Sequence, residues 1–172
     1  MVDNTEKISI DGSQYSLLSQ FTLWYHDIHN KDWSIKSYRK ICNIITIADF
    51  WKLFNNFDRL NYKFKHFFLM KKNVQPIWEH ETNRNGGICS FRIELKVALK
   101  LWELIAIYMV CGQLTNNYDD INGISFSPKN HWVIIKIWNK DSKNDISKFI
   151  NEAIFNKFPN LSVKYRSNQP EY

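Results

Sequence analysis

The segment Trp132-Val133-Ile134-Ile135-Lys136-Ile137-Trp138 constrains this chain more than any other. At a period of two it sends Trp132, Ile134, Lys136 and Trp138 to one face and Val133, Ile135 and Ile137 to the other. A strand so poor in polar side chains needs a packed layer over at least one face, so the chain must build a covered sheet. Candidate neighbouring strands are Phe21 to Tyr25, residues 38–45 ending in Ile44 and Ile45, the short run Phe67 to Met70, the alternating Ser90 to Glu94, and Leu161 to Tyr165. Three helices can cover them. Thr46 caps the first, with Asp49 as its capping-box partner, and Ile47, Phe50, Trp51, Phe54 and Phe57 recur at helical spacing. Residues 96–111 are apolar almost all round, which predicts a mostly buried helix stopped by Gly112. The third runs over residues 143–157, with Ile146, Phe149, Ile150, Ala153 and Ile154 on one stripe. The expected class is α+β, a curved and largely antiparallel sheet with the helices on one face.

At 172 residues the chain fits one domain, long enough to hold a core without disulfide or metal staples. A polar N-terminal arm is expected over residues 1–19 and a single domain over 20–172, with no repeat, low-complexity block or linker. Cys42, Cys89 and Cys111 are scattered and odd in number, which argues for a reducing compartment over a disulfide framework. The longest near-continuous apolar run, Leu104 to Cys111, falls far short of the ~18–20 residues of a membrane span. Met1 to Lys7 lacks the pattern of a signal peptide. A cytoplasmic, monomeric protein with no membrane partner is the expectation. Its net charge of +6 and isoelectric point near 9.2 favour an anionic partner. Seven tryptophans are more than a core of this size needs.

Catalytic motifs are missing. The five histidines form no H-E-x-x-H, and His26 and His29 read as residues of a solvated loop. Asp119-Asp120 lies in a turn-like stretch, where adjacent carboxylates usually serve turn chemistry. Among five glycines there is no phosphate-loop or dinucleotide fingerprint. No catalytic residue, metal site or cofactor is expected. Pro76-Ile77-Trp78-Glu79 is more informative, because it sets an indole beside a carboxylate in a polar loop. Guanine presents two parallel donors, N1–H and N2–H₂, and an ionised carboxylate is a two-oxygen acceptor. An N7-methylated guanine is also cationic and gains ~1–2 kcal/mol by stacking on indoles. Alone, the dipeptide is a weak signal and reads more simply as a loop-anchoring core tryptophan beside a solvated glutamate.

The landmarks Leu23-Trp24, Asp32-Trp33, Thr46 through Trp51, Pro76 through Glu79, Asn83 through Gly87, Tyr118 through Gly123, Ile137-Trp138 and Lys164-Tyr165 run in order along the chain. Together they resemble the cap-binding translation initiation factor 4E family over almost the whole length. The resemblance implies a cupped-hand sheet with three helices on its convex back. It implies that Trp33 and Trp78 sandwich 7-methylguanine, that Glu79 pairs with the base edge and that Trp138 contacts the N7-methyl group. Basic residues near Lys129 would hold the cap phosphates. On the back, Tyr15, Ile47, Trp51 and Gly112 would receive a Tyr-x4-Leu-apolar helix of a scaffold factor or repressor. By periodicity alone Trp51 reads as core, though Phe50 and Phe54 can supply the core contacts and leave it free to face outwards; Trp24 reads as core.

Several positions depart from the family. Tyr15-Ser16 stand where it usually has His-Pro, and Cys89 replaces a tryptophan. Either Trp102 or a neighbour takes a dorsal position. Lys129 stands for an arginine, His131 for a lysine, and Ile134 for a phosphate-binding lysine. Lys136, on the same strand face as Ile134, is therefore expected to supply the missing charge, His131 a little more, and Trp132 a stacking surface for the next nucleotide. The resemblance implies an mRNA cap receptor that recruits the translation machinery, in a divergent form consistent with a viral or protist source. The alternatives are a cap-binding repressor, a protein–protein module that has lost cap binding, and a cap-processing enzyme.

Overall fold

The computed structural model describes Gly12 and residues 15–168; the rest of the expected N-terminal arm lies outside the described residues. Seven strands form one curved, wholly antiparallel sheet: β1 (Ser16–Asp27), β2 (Arg39–Thr46), β3 (Lys65–Lys71), β4 (Gly87–Glu94), β5 (Ile121–Lys129), β6 (Trp132–Asn139) and β7 (Val163–Ser167). Their order across the sheet is β2-β1-β3-β5-β6-β4-β7. The helices are α1 (Ile47–Phe54), α2 (Leu95–Val110) and α3 (Glu152–Lys157).

Period-two alternation sorts the strand side chains into two apolar clusters, one on each face. Phe67 and Leu69, Phe91 and Ile93, and Val133, Ile135 and Ile137 pack against Phe50, Phe54, Leu101, Trp102, Ile105 and Ile154 of the helices. Burying each such side chain contributes ~1.5–3 kcal/mol. Phe68, Met70, Ile88 and Trp138 point the other way and form a smaller cluster with Tyr38 and Val74. That second cluster floors the open, concave side. Thr46 and Asp49 close the expected capping box on α1, and Gly112 adopts φ +72° just beyond the end of α2.

The structure corrects four expectations. Ser16 to Ser19 belong to β1 and not to an arm; Ser16 lies opposite Thr46, and the Ile47 amide donates to the Tyr15 carbonyl at 3.0 Å. The third helix splits into a 3-10 turn (Ile146–Lys148) and α3. There Asp145 and Asn151 accept from the amides of Ser147 and Ala153, and such local side-chain bonds compete with a continuous helical ladder. Ile146, Ile150 and Ile154 remain buried, but Phe149 is exposed. Phe57 is buried from a 3-10 turn beyond α1. Trp24 is half-buried against the concave cluster and is not part of the main core. No helix among the described residues is long and apolar enough to cross a membrane.

Candidate functional site

A cleft of about 480 Å³ opens on the concave side. Its lining includes Trp33, Ile77, Trp78, Glu79, Lys129, Lys136 and Trp138. Thus six of the expected site residues, from two loops and two strands, meet in one place. Trp138 is the floor. It is nearly fully buried, its Nε1–H donates to Ser125 Oγ at 3.0 Å, and its ring meets Phe68 edge-on. The indole therefore has one fixed orientation.

Trp33 stands on the loop between β1 and β2 and is 53% exposed, so something must hold its ring in place. That support is His26, which the sequence pattern assigned to a solvated loop. Its side chain is 0% exposed within β1 and stacks on Trp33 at 4.1 Å between centroids, with planes 9° apart. Its Nε2 lies 2.8 Å from the Asp32 carbonyl, which can only accept, so Nε2 carries the hydrogen. Asp32 in turn accepts from the Ser34 amide at 2.8 Å, and that bond lowers its carboxyl pKa. One face of Trp33 is thus braced and the other left open. Tyr38 closes the base of this group, its phenol pushed up by burial and by the nearby Glu79 and Asp32 carboxylates.

The opposite wall, Trp78-Glu79, hangs on a loop pinned by Asn83. This fully buried amide donates to the carbonyls of Gln75 and Ile77, both at 2.8 Å, and its oxygen accepts from Asn122 Nδ2 at 2.8 Å. Asn168 donates to its backbone carbonyl at 2.7 Å. Gly86 follows because a Cβ there would stand 1.8 Å from the Asn139 carbonyl oxygen. Asn83 and Gly86 fall within the sequence landmarks, but their anchoring role depends on partners up to 85 residues away.

At the far end the cleft is basic. Lys136 sits with its ammonium 5.9 Å from the Trp78 ring, and burial followed by Lys129 and Arg166 lowers its pKa. Ile134 and His66 also line the cleft, the His66 ring 5.4 Å from that of Trp33 between centroids. His66 is buried, its Nδ1 is unpartnered, and burial first, then Lys129, His26 and Lys136, bring its pKa down to about 4. Two expected residues fall elsewhere. His131 is in the turn between β5 and β6, outside the cleft lining, where its carbonyl accepts from the Leu95 amide at 2.9 Å. Trp132 lines a separate depression with Lys96 and Lys157, and the Arg92 guanidinium covers one face of its ring at 4.4 Å.

On the helical side, Ile47 and Trp51 are both about 40% exposed, while Phe50 and Phe54 face the core. Tyr15 is exposed beside them, and Leu18, which sequence reasoning passed over, lies on Gly112. Trp102 is fully buried, so it takes no dorsal surface position. Cys89 is sealed in the core, its thiol pushed up to about 12 by burial. Asp120 is buried and serves turn chemistry, accepting from Asn139, Asn144 and the amides of Lys140 and Asp141. Among the described residues no three His, Cys, Asp or Glu side chains converge as a metal site.

The family model described as eukaryotic initiation factor 4E matches residues 16–171. Eukaryotic translation initiation factor 4E of Dictyostelium discoideum is 25% identical over 138 residues, which cover 77% of this chain and 55% of that protein. Initiation factor NCBP of Triticum aestivum is 30% identical over 108 residues, covering 62% of this chain and 46% of its own length. The chain thus spans about half the length of these curated relatives. In fold it is similar to C. elegans eIF4E-3, solved with the 4E-binding protein Mextli and a cap analogue, at a TM-score of 0.76 and 22% identity, covering 89% of this chain and 92% of that one.

Proposed function

The chain belongs to the eukaryotic initiation factor 4E family, and from that premise we propose that it is a receptor for the 7-methylguanosine cap of mRNA. The observation that carries this reading is the convergence of Trp33, Trp78 and Glu79 on one cleft above a fixed Trp138. The open face of Trp33 and the indole of Trp78 stack on the two faces of the base, where a cationic 7-methylguanine gains a cation–π contribution. Glu79 accepts from N1–H and N2–H₂ of guanine, and Trp138 contacts the N7-methyl group. Lys129 and Lys136 hold the phosphates. Burial first, and then the neighbouring Lys129 and Arg166, lower the Lys136 pKa, and a bound polyanion would offset that repulsion.

The same reading assigns the exposed Tyr15, Leu18, Ile47, Trp51 and Gly112 surface to a helical Tyr-x4-Leu-apolar segment of a scaffold factor or repressor, the helix-in-groove mode. The activity is binding and recruitment in the cytoplasm, with no catalytic step. Tryptophan fluorescence quenching tests it: 7-methyl-GTP should bind at least about tenfold tighter than GTP, and equal affinities would refute the cap reading. In the same assay Trp51→Ala should leave 7-methyl-GTP binding near wild type while abolishing capture of such a helical peptide. Unfolding of that variant would instead make Trp51 a core residue.

A further inference from the structure

Next to the cleft, the strand register gathers a second set of cations. Ser90 of β4 lies opposite Lys136 of β6 on one side and opposite Lys164 of β7 on the other. Directly paired residues share a face of the sheet, so Lys136, Ser90 and Lys164 form one row on the concave side. Two residues along β4 on that face stands Arg92, and two residues the other way stands Ile88, whose β7 partner is Arg166. Four cationic side chains therefore surround one small hydroxyl residue.

No acidic side chain among the described residues pairs with them. The ion pairs among the described residues are Lys96 with Glu94 and Lys148 with Asp145, which include none of the four. The Ser90 hydroxyl engages no side chain among the described residues and is only partly buried. Arg92 is held in position by its stack on Trp132. Lys136 responds to Arg166 as well as to Lys129, which places the group within electrostatic reach of the cleft. Lys136 belongs to both features, so the cation square is continuous with the phosphate end of the cleft.

We propose that the square around Ser90 binds the phosphodiester backbone of the nucleotides that follow the cap. The proposal rests on the cap reading and extends it. A phosphate between the four side chains would accept from the Ser90 hydroxyl and neutralise the surrounding charge. Contacts of this kind position a strand without reading its sequence, so the track serves any message. Trp132, beneath Arg92, offers its remaining face to a base at the end of the track.

The test measures binding of the full chain to 7-methyl-GTP, to a capped pentanucleotide and to the same pentanucleotide without a cap, over a salt series. The capped pentanucleotide should bind about tenfold tighter than 7-methyl-GTP at low salt, with the gap closing as salt rises. The Arg92→Ala/Lys164→Ala variant should lose that gap, keep its 7-methyl-GTP affinity, and show a log–log salt slope shallower by about 1.4, at ~0.7 per phosphate contact. Equal wild-type affinities for the two capped ligands, or a variant that retains the gap, would overturn the proposal. If 7-methyl-GTP fails to bind the wild type, the cap reading falls. Salt-sensitive binding of the uncapped strand that is lost in the variant would then still support the backbone site, and its absence would remove both.

Discussion

At one end of the cleft, Trp33 and Trp78 stand on loops made rigid by buried polar groups, His26 behind the first and Asn83 behind the second. At the other end, Lys129, Ile134 and Lys136 stand on paired strands whose backbones need no side-chain support. The loop end depends on a few irreplaceable hydrogen bonds and stacks, so its residues keep a recognisable order in the sequence. The strand end is different. A sheet offers every second residue on each strand to the same face, so a charge lost at Ile134 can be supplied by Lys136, or across the sheet by Arg166. On the proposed cap reading, the base slot therefore keeps its landmark residues while the phosphate end draws its charge from other strand positions.

The largest effects are expected at the loop end. Trp78→Ala should weaken 7-methyl-GTP binding by ten- to a hundredfold, since aromatic stacking on a base contributes ~1–3 kcal/mol. Asn83→Ala, which touches no ligand, should cost a comparable factor and lower the melting temperature, because it strands the carbonyls of Gln75 and Ile77 without donors. A titration in which Asn83→Ala binds like wild type would show that the loop holds its shape without the amide.

Smaller effects should mark the strand end. Lys136→Ala should weaken 7-methyl-GTP by about three- to tenfold and flatten its salt dependence, in line with loss of one charge-assisted contact of ~1 kcal/mol. His131→Ala should change neither, because its side chain is outside the cleft lining. If His131→Ala proves the more damaging of the two, the phosphates follow a path over the β5–β6 turn.

A separate effect, on stability and not on binding, concerns His66, which lines the same cleft. The unfolded chain takes up its proton near the ordinary value of 6.5, whereas the native imidazole is held down to about 4. Stability from this residue is therefore complete above pH 6.5 and is lost as the pH falls toward 4. Melting temperatures measured across that interval should fall less steeply for His66→Phe than for wild type. Parallel curves would mean that another group carries the acid sensitivity.

Period-two and helical patterns in the sequence by themselves determined most of the architecture. The alternation in Trp132 to Trp138, the capping box at Thr46 and Asp49, and the stop at Gly112 are local, and local chemistry suffices to place them. The same patterns, together with the family resemblance, picked out Trp33, Trp78, Glu79, Lys129, Lys136 and Trp138, which meet in one cleft. Tertiary structure alone decided what braces and what surrounds them. His26 looked polar and exposed because a strand residue facing an aromatic loop leaves no periodic signature. Trp132 looked like part of the cleft because period-two reasoning gives the face but not the position along a curved sheet, and there Arg92 already covers one side of its ring. The split of the last helix was hidden for a related reason: Ile146, Ile150 and Ile154 keep helical spacing, while the competition between Asn151 capping and the helical ladder is settled by the Asn151 amide donating to Leu114 across the fold. Spacing along a chain reports which face a residue shares; only the packing of distant segments reports what it touches there.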